Sequence, residues 1–200
     1  MGGGGTWQNV IRNPDKWAAV CIGAGGPWYA PVGAGLGRNV AYVPVRIWHG
    51  DADGTVPVSD AYLMEKELRC YGNEPVMRIV KGAGHAWSED EITATRKWLL
   101  QHTRKRPDSF AFMCDDNDHR GAWGIIMSQD PAINPTPSFD CRIVKSTVYI
   151  RSQGTPGLYV ELGEKGLNLK GPVTVYWNGE KAYEGPVKEI SLGSGGGWRP

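Results

Sequence analysis

The sequence predicts an α/β protein in two parts, a parallel sheet with helices over residues 1–105 and a small antiparallel β-sandwich-like segment over residues 108–192. In the first part, short apolar runs alternate with longer amphipathic ones, which is typical of a parallel α/β sheet. This pattern ends near Arg104-Lys-Arg-Pro107, and β-like runs separated by turn residues follow. Residues 193–200 are predicted to be a disordered tail, since they are glycine-rich and terminal.

The first part contains three predicted strands and three predicted helices. The strands lie at 18–22, 43–48 and 76–80, and the helices at 3–12, from Ser59 to about residue 70, and from Ser88 onwards. Tyr71-Gly72-Asn73 is a C-terminal helix signal, and Ser88-Glu-Asp-Glu91 is a capping box. The glycine-rich stretch 23–42 is predicted to pass irregularly over the carboxyl edge of the sheet, where ligands bind in such folds.

The second part shows six β-like runs, at 110–113, 122–127, 142–151, 158–162, 173–177 and 187–191. Asn178-Gly179 lies between two alternating runs and is the strongest hairpin signal in the chain. Regularly spaced short strands with turn signals indicate a β-sandwich.

Composition excludes several classes of partner. The 22 basic residues nearly balance the 21 acidic ones, so no nucleic-acid partner is predicted. No apolar run approaches the roughly 18 residues that a membrane span needs, and no signal peptide is visible. The four cysteines form no C-x-x-C motif. Cys114 and Cys141 remain open to a disulfide, although free buried thiols are favoured.

Three motifs follow one another along the first part of the chain. Met1-Gly2-Gly3 precedes a helical stretch, Pro14 and an apolar run; Trp48-His-Gly-Asp-Ala-Asp53 and Gly82-Ala-Gly-His85 follow. Residues 1–105 thereby resemble the C-terminal half of an α/β-hydrolase of the prolyl-oligopeptidase-like (S9), dienelactone hydrolase and carboxylesterase type, starting just after the nucleophilic serine. More faintly, 118–123 and 172–180 resemble a tail found on some of these proteins.

The resemblance implies that Asp53 is the acid and His85 the general base of a catalytic triad. Asp53 occupies the fifth position of H-G-x-x-D, and Val56-Pro57 matches the usual continuation. Asp51 is the competing acid, and a simple turn is the alternative interpretation of both aspartates. For His85 the alternative is a buried histidine bonded to a backbone carbonyl.

The nucleophile is the gap in this interpretation. No serine or cysteine lies in a G-x-S-x-G or G-x-C-x-G frame, and Ser59 and Ser88 are predicted to be helix caps. The expectation is that the chain is a fragment whose N-terminal half is missing. In that case the backbone N–H of Met1, the residue after the serine, is one donor of the oxyanion hole.

Trp28 and Trp87 are the tryptophans expected beside the cleft, as substrate-binding residues. No cofactor is expected, because Gly33-Ala-Gly-Leu-Gly37 breaks the spacing of a dinucleotide loop. No metal site is expected either. His119 with the preceding Asp115-Asp-Asn-Asp118 suggests a metal cluster at first sight, but a polar turn is favoured.

Three functional hypotheses follow. The first is a fragment of a serine hydrolase for a small-molecule ester or a peptide, inactive alone. The second is a non-catalytic, degenerate hydrolase half whose β-domain binds carbohydrate or a protein partner through Trp123, Tyr149 or Trp177. The third, least favoured, is a complete enzyme in this chain alone. The resemblance suggests a secreted or periplasmic protein, and the oligomeric state is left open.

Overall fold

A computed structural model describes residues 1–28, 30–116, 118–128 and 136–193. The chain divides into two compact units, Met1–Lys105 and Arg106–Pro200. Of the tail predicted at 193–200, residues 194–200 lie outside the described residues, and Gly193 is wrongly included because it ends the last strand.

The first unit is a three-stranded parallel sheet with three helices, so the predicted α/β class is confirmed. The strand order is β1-β2-β3, and short 3-10 helices lie at Pro14–Lys16 and Leu36–Val40. In chain order the elements are α1 (Gly2–Arg12), β1 (Val20–Gly23), β2 (Val45–Gly50), α2 (Val58–Cys70), β3 (Val76–Val80) and α3 (Glu89–Leu99).

Helix α1 packs closely on the end of the sheet. Trp7, Val10 and Ile11 form its buried stripe, at the i, i+3, i+4 spacing of an amphipathic helix. Gly3 permits the close approach, because a Cβ placed there would lie 2.2 Å from the carbonyl oxygen of Gly23. The start of α1 is therefore held against the carboxyl end of β1.

The ends of α2 and α3 test the predicted caps. Pro57 occupies the N-cap of α2, so Ser59 lies within the helix and its predicted role as a cap is wrong. Ser88 is the N-cap of α3, and its hydroxyl accepts the N–H of Glu91 at 3.3 Å. The side chain of Glu91 does not complete the capping box, because it pairs with Arg78 at 2.9 Å on β3.

Helix α2 also fixes the glycine-rich segment between β1 and β2. The buried carboxylate of Glu67 accepts the N–H groups of Gly33 at 2.8 Å and Gly37 at 3.2 Å. Asn73, just after α2, donates to the carbonyls of Val40 at 2.6 Å and Val43 at 2.8 Å. These bonds satisfy backbone groups that an irregular buried loop would otherwise leave unpaired.

The second unit contains a five-stranded sheet and a four-stranded sheet. Their strands are β4 (Ser109–Met113), β5 (Gly121–Ala122), β6 (Ile125–Met127), β7 (Ser138–Val144), β8 (Thr147–Gln153), β9 (Gly157–Glu161), β10 (Val173–Trp177), β11 (Glu180–Gly185) and β12 (Glu189–Gly193). The strand order is β11-β10-β8-β7-β4 in the first sheet and β12-β9-β6-β5 in the second. Each sheet buries one face, in the alternation typical of a sandwich.

Two features of this unit differ from the sequence-based expectation. The run 142–151 is not one strand, because the chain turns at Lys145 (φ 55°) between β7 and β8. Strands β8 and β10 pair in parallel, so the five-stranded sheet is mixed. The hairpin at Asn178-Gly179 is confirmed, with φ values of 52° and 93° that match a type I′ turn.

The cysteines of this unit are separate thiols. Cys114 and Cys141 are both free and buried. Burial raises the pKa of the Cys141 thiol to about 12 and that of Cys114 above its usual value.

Candidate functional site

Asp53 and His85 meet at the carboxyl edge of the parallel sheet. Asp53 lies in the loop after β2 and His85 in the loop after β3, so parallel pairing brings both loops to the same edge. The two side chains are joined by a hydrogen bond of 2.8 Å between His85 Nδ1 and Asp53 Oδ2. The structure therefore brings together the two residues that the sequence singled out as acid and base.

Asp51, the competing acid, has a different place. Its Oδ1 accepts the N–H of Gly82 at 2.6 Å, at the start of the loop that carries His85. The N–H of Ala52 donates to the carbonyl of Ala83 at 3.0 Å. Together these bonds connect the two loops and fix the backbone on which His85 stands.

The carboxylate of Asp53 is buried and well supplied with donors. Its side chain is 0% exposed, and Oδ1 accepts the N–H groups of Thr55 at 2.8 Å and Val56 at 3.0 Å. Burial acts to raise the pKa of Asp53, but the donors at Val56, Thr55 and His85 outweigh it and hold the pKa below its usual 3.8. Asp53 is thus an anion at neutral pH.

His49 lies beneath this pair, fully buried on β2. Its Nε2 is 3.0 Å from the carbonyl oxygen of Val56 and 3.4 Å from Asp53 Oδ2. A donated Nε2–H accounts for both distances, because both neighbours are acceptors. His49 therefore braces the acid loop.

His85 faces a cleft of about 380 Å³ at the start of α1. With Nδ1 bonded to Asp53, Nε2 is the ring nitrogen left for a ligand, and the side chain is 42% exposed. The cleft is lined by Met1, Gly2, Gly3, Thr6, Cys21, Gly23, Ala24, His85 and Trp87. The first turn of a helix presents free backbone N–H groups, so this end of the cleft favours negative charge.

Of the two tryptophans expected beside the cleft, Trp87 lines it and Trp28 does not. Trp87 is stacked on the buried Trp48, with ring centroids 4.8 Å apart. Trp28 is 51% exposed, and its ring lies beside Gly26 and Gly4 instead. Trp28 is therefore not among the residues that line the cleft of His85, and its role in substrate binding stays a prediction.

Sequence reasoning did not identify Thr6 and Cys21 as cleft residues. Neither is an activated nucleophile. The Thr6 hydroxyl donates to the carbonyl of Gly2 at 2.9 Å within α1. Burial raises the pKa of the Cys21 thiol to about 11, against the opposing effects of Thr95 and Arg46, so the thiol stays protonated.

The aspartates near His119 form a polar turn. Asp116 accepts hydrogen bonds from the backbone N–H groups of Asp118 at 3.0 Å and His119 at 2.8 Å. Its Oδ2 also lies 2.9 Å from Nδ1 of the His119 ring. Within the described ranges, no group of three or more histidine, cysteine, aspartate or glutamate side chains is placed to hold a metal ion. In the same ranges, no helix combines the length and apolar character needed to cross a membrane.

Comparisons with known proteins give partial structural similarity. No protein-family model matches the sequence, and no curated protein matches it. Among solved structures, a thermostable esterase is 23% identical with a TM-score of 0.42, over 52% of this chain and 29% of that one. Esterase PE8 is 22% identical with a TM-score of 0.34, over 43% of this chain and 39% of that protein. SOBER1 of Arabidopsis thaliana is 19% identical with a TM-score of 0.44, over 50% of this chain and 48% of that protein. The match thus spans less than half of each of these proteins.

Proposed function

We propose that residues 1–105 carry the general base and the orienting acid of a serine-type hydrolase that cleaves esters, with His85 as base and Asp53 as acid. The observation that carries this proposal is the 2.8 Å bond between buried Asp53 and half-exposed His85 at the cleft. A nucleophile-activating histidine needs such an arrangement, with one ring nitrogen fixed by a carboxylate and the other facing the reacting group.

The proton chemistry follows from the bonding of the ring. Ionised Asp53 accepts the Nδ1 proton, which leaves Nε2 with a lone pair directed to the hydroxyl of the nucleophile. When that hydroxyl attacks the ester carbonyl, its proton passes to Nε2, and the imidazolium is stabilised by Asp53. The same proton then goes to the leaving alkoxide, which departs as the alcohol. Water repeats the cycle and releases the acid from the acyl-enzyme.

The position of the nucleophile is part of the proposal. The cleft reaches from His85 to the start of α1, and the hydroxyl of Thr6 and thiol of Cys21 in it are not activated. We place the serine in a segment that precedes Met1 in the intact protein, at the tip of α1. The backbone N–H of Met1 then serves as one oxyanion-hole donor, and the helix end adds favourable potential. On this proposal residues 1–200 alone do not turn over esters.

The test begins with the coding sequence upstream of Met1. An in-frame serine codon, preceded by Gly-x, is expected. The extended protein should hydrolyse p-nitrophenyl acetate, and His85→Ala should reduce kcat/KM by about 10²–10⁴-fold. His102→Ala, a histidine of the same unit outside the cleft, is the matched control and should retain the activity.

Three results contradict the proposal. They are an in-frame stop codon directly upstream, ester hydrolysis that survives His85→Ala, and turnover by residues 1–200 alone. A p-nitroanilide substrate, run beside the ester, decides between ester and peptide bonds. Preferential cleavage of the anilide would replace esters by peptides in the proposal and leave the dyad unchanged.

A further inference from the structure

The outer face of the five-stranded sheet in the second unit carries a cavity of about 750 Å³. This face is separate in sequence from the His85 cleft, and all of its lining belongs to residues 109–179. The lining includes Ser109, Asp140, Arg142, Tyr149, Arg151 and Tyr176. The strands alternate here, so their apolar residues point inward and charged or aromatic ones point outward.

Strand register places the polar residues of this face in a defined grid. One row across the sheet runs through Ser109, Arg142, Tyr149 and Tyr176, which are successive cross-strand partners. Tyr149 and Tyr176 stack with ring centroids 5.3 Å apart and an interplanar angle of 11°. Stacking restricts the two rings, so the wall they form is ordered before any ligand arrives.

The second row contributes charge. Asp140 is the cross-strand partner of Arg151, and Arg142 is two residues along the strand from Asp140. Arg142 and Arg151 are therefore diagonal neighbours on adjacent strands, with Cα atoms roughly 7–8 Å apart. Both are exposed, and in the described part of the chain neither makes an ion pair or a side-chain hydrogen bond. Two guanidinium groups with unused donors thus face the same cavity.

We propose that this face, with Arg142, Arg151, Tyr149 and Tyr176, binds a segment of an acidic polysaccharide whose sugars carry carboxylates. Each guanidinium offers a planar pair of donors that matches a carboxylate. The tyrosines add aromatic surface and hydroxyl groups for the sugar rings and their hydroxyls. The site is remote in sequence from the proposed hydrolytic residues and does not depend on them.

Charge and backbone pairing favour a sugar over the other anionic polymers. Asp140 neighbours both arginines, so the charged side chains of this lining are two positive and one negative. Nucleic-acid binding depends on the neutralisation of many phosphates, and two arginines beside one carboxylate supply little of it. A peptide strand has no edge to join here, because β7 and β8 are paired on both sides. The sequence suggested three aromatic residues as ligand contacts of the β-domain, and Tyr149 is the one of them that lines this cavity. Trp123 is only 7% exposed, and the indole N–H of Trp177 donates to the hydroxyl of Ser152.

The test uses the full chain, isothermal titration calorimetry and an oligogalacturonate as the probe. Its fully methyl-esterified form, which has the same sugars without the charges, is the ligand control. We expect binding of the acid form that weakens with added salt. Arg142→Gln and Arg151→Gln should each weaken binding about tenfold or more. Lys165→Gln removes the same charge from an exposed turn of this unit outside the cavity and should change binding less than about twofold.

Each other outcome overturns the proposal. Equal binding of the methyl ester would show that the arginines do not read the carboxylates. Tighter binding of polyglutamate or oligo-dT would assign the face to another class of polymer. No detectable binding, or binding insensitive to Arg142→Gln, Arg151→Gln and Tyr149→Ala in variants with unchanged melting curves, would remove the site. None of these results bears on the esterase test, since that test reads the His85 cleft.

Discussion

Replacement of Asp53 tests whether its carboxylate holds the acid loop together. Asp53→Ala removes the acceptor for two backbone N–H groups and the partner of His85. Asp53→Asn keeps an amide oxygen that accepts the same N–H groups, but it removes the negative charge. The two variants therefore separate the hydrogen bonds of the loop from the charge.

The magnitude follows from the exposure of each partner. Val56 is 1% exposed, so its N–H cannot turn to water, and an unsatisfied buried donor costs about 1–3 kcal/mol. Thr55 is exposed, so its N–H is rehydrated at little cost. The pair with 42% exposed His85 adds less than about 1 kcal/mol. We expect Asp53→Ala to lower the free energy of unfolding by about 2 kcal/mol and Asp53→Asn by about 1 kcal/mol.

The pH dependence has a definite sign. The pKa of Asp53 is lower in the folded protein than its usual 3.8, so the stabilisation is complete above that value. It is lost as the pH falls through the lower, folded-state pKa. The stability difference between the wild type and Asp53→Asn should therefore be constant near neutrality and shrink below about pH 4.

Native-state hydrogen exchange, read by mass spectrometry, is the assay. Peptides covering β2 report the first unit, and peptides covering β7 are the internal reference in the same sample. The reasoning is refuted if Asp53→Asn destabilises β2 as much as Asp53→Ala does. It is also refuted if the difference from the wild type grows as the pH falls from 7 to 3.

Three further changes test other contacts. Gly23→Ala places a Cβ 1.7 Å from the Trp87 ring, so we expect the near-UV circular dichroism of the Trp48–Trp87 stack to be lost and the free energy of unfolding to fall by about 1–3 kcal/mol. Gly54→Ala is the control, because a Cβ at Gly54 meets no atom within 4 Å. Equal effects of the two substitutions would refute the contact between Gly23 and Trp87. Asn73→Ala deprives two carbonyls of their donor, which should cost about 2 kcal/mol in urea unfolding, and an unchanged midpoint would contradict it. Phe139→Ala removes a fully buried side chain in the second unit, so the backbone amides of β7 should lose about 3–5 kcal/mol of protection from hydrogen exchange. A loss below about 1 kcal/mol would contradict the assignment of Phe139 to the core.

Much of the first unit could be predicted because its signals are local. The strand at 76–80 coincides with β3, and Gly72, which follows the C-cap of α2, has the positive φ typical of glycine at a helix end. Ser59 was misplaced, because a serine near a helix start is typical of both the cap and the first turn. Pro57 took the cap position, and proline fixes the backbone angle before the helix.

The candidate site was predictable in part. Asp53 and His85 each follow a short apolar strand, and parallel pairing of β2 with β3 was enough to bring them together. Thr6 and Cys21 carried no signal, since their place in the cleft depends on how α1 packs on β1. The sequence did not separate Trp87, which lines the cleft, from Trp28, which does not, because a glycine-rich loop has no periodicity that gives the direction of a side chain.

The sequence alone determined the α/β class of the chain, most strand positions, the Asn178-Gly179 hairpin and the two residues of the proposed dyad, because each depends on neighbouring residues and on period. Only the tertiary structure decided that β8 pairs in parallel with β10, that Asp51 bonds to Gly82 while Asp53 reaches His85, and that Arg142 and Arg151 share one outer face. These arrangements join residues far apart in the chain, and the choice among possible pairings is made by burial of the whole sheet face. That choice is a property of the packed structure, since no short stretch of sequence carries it.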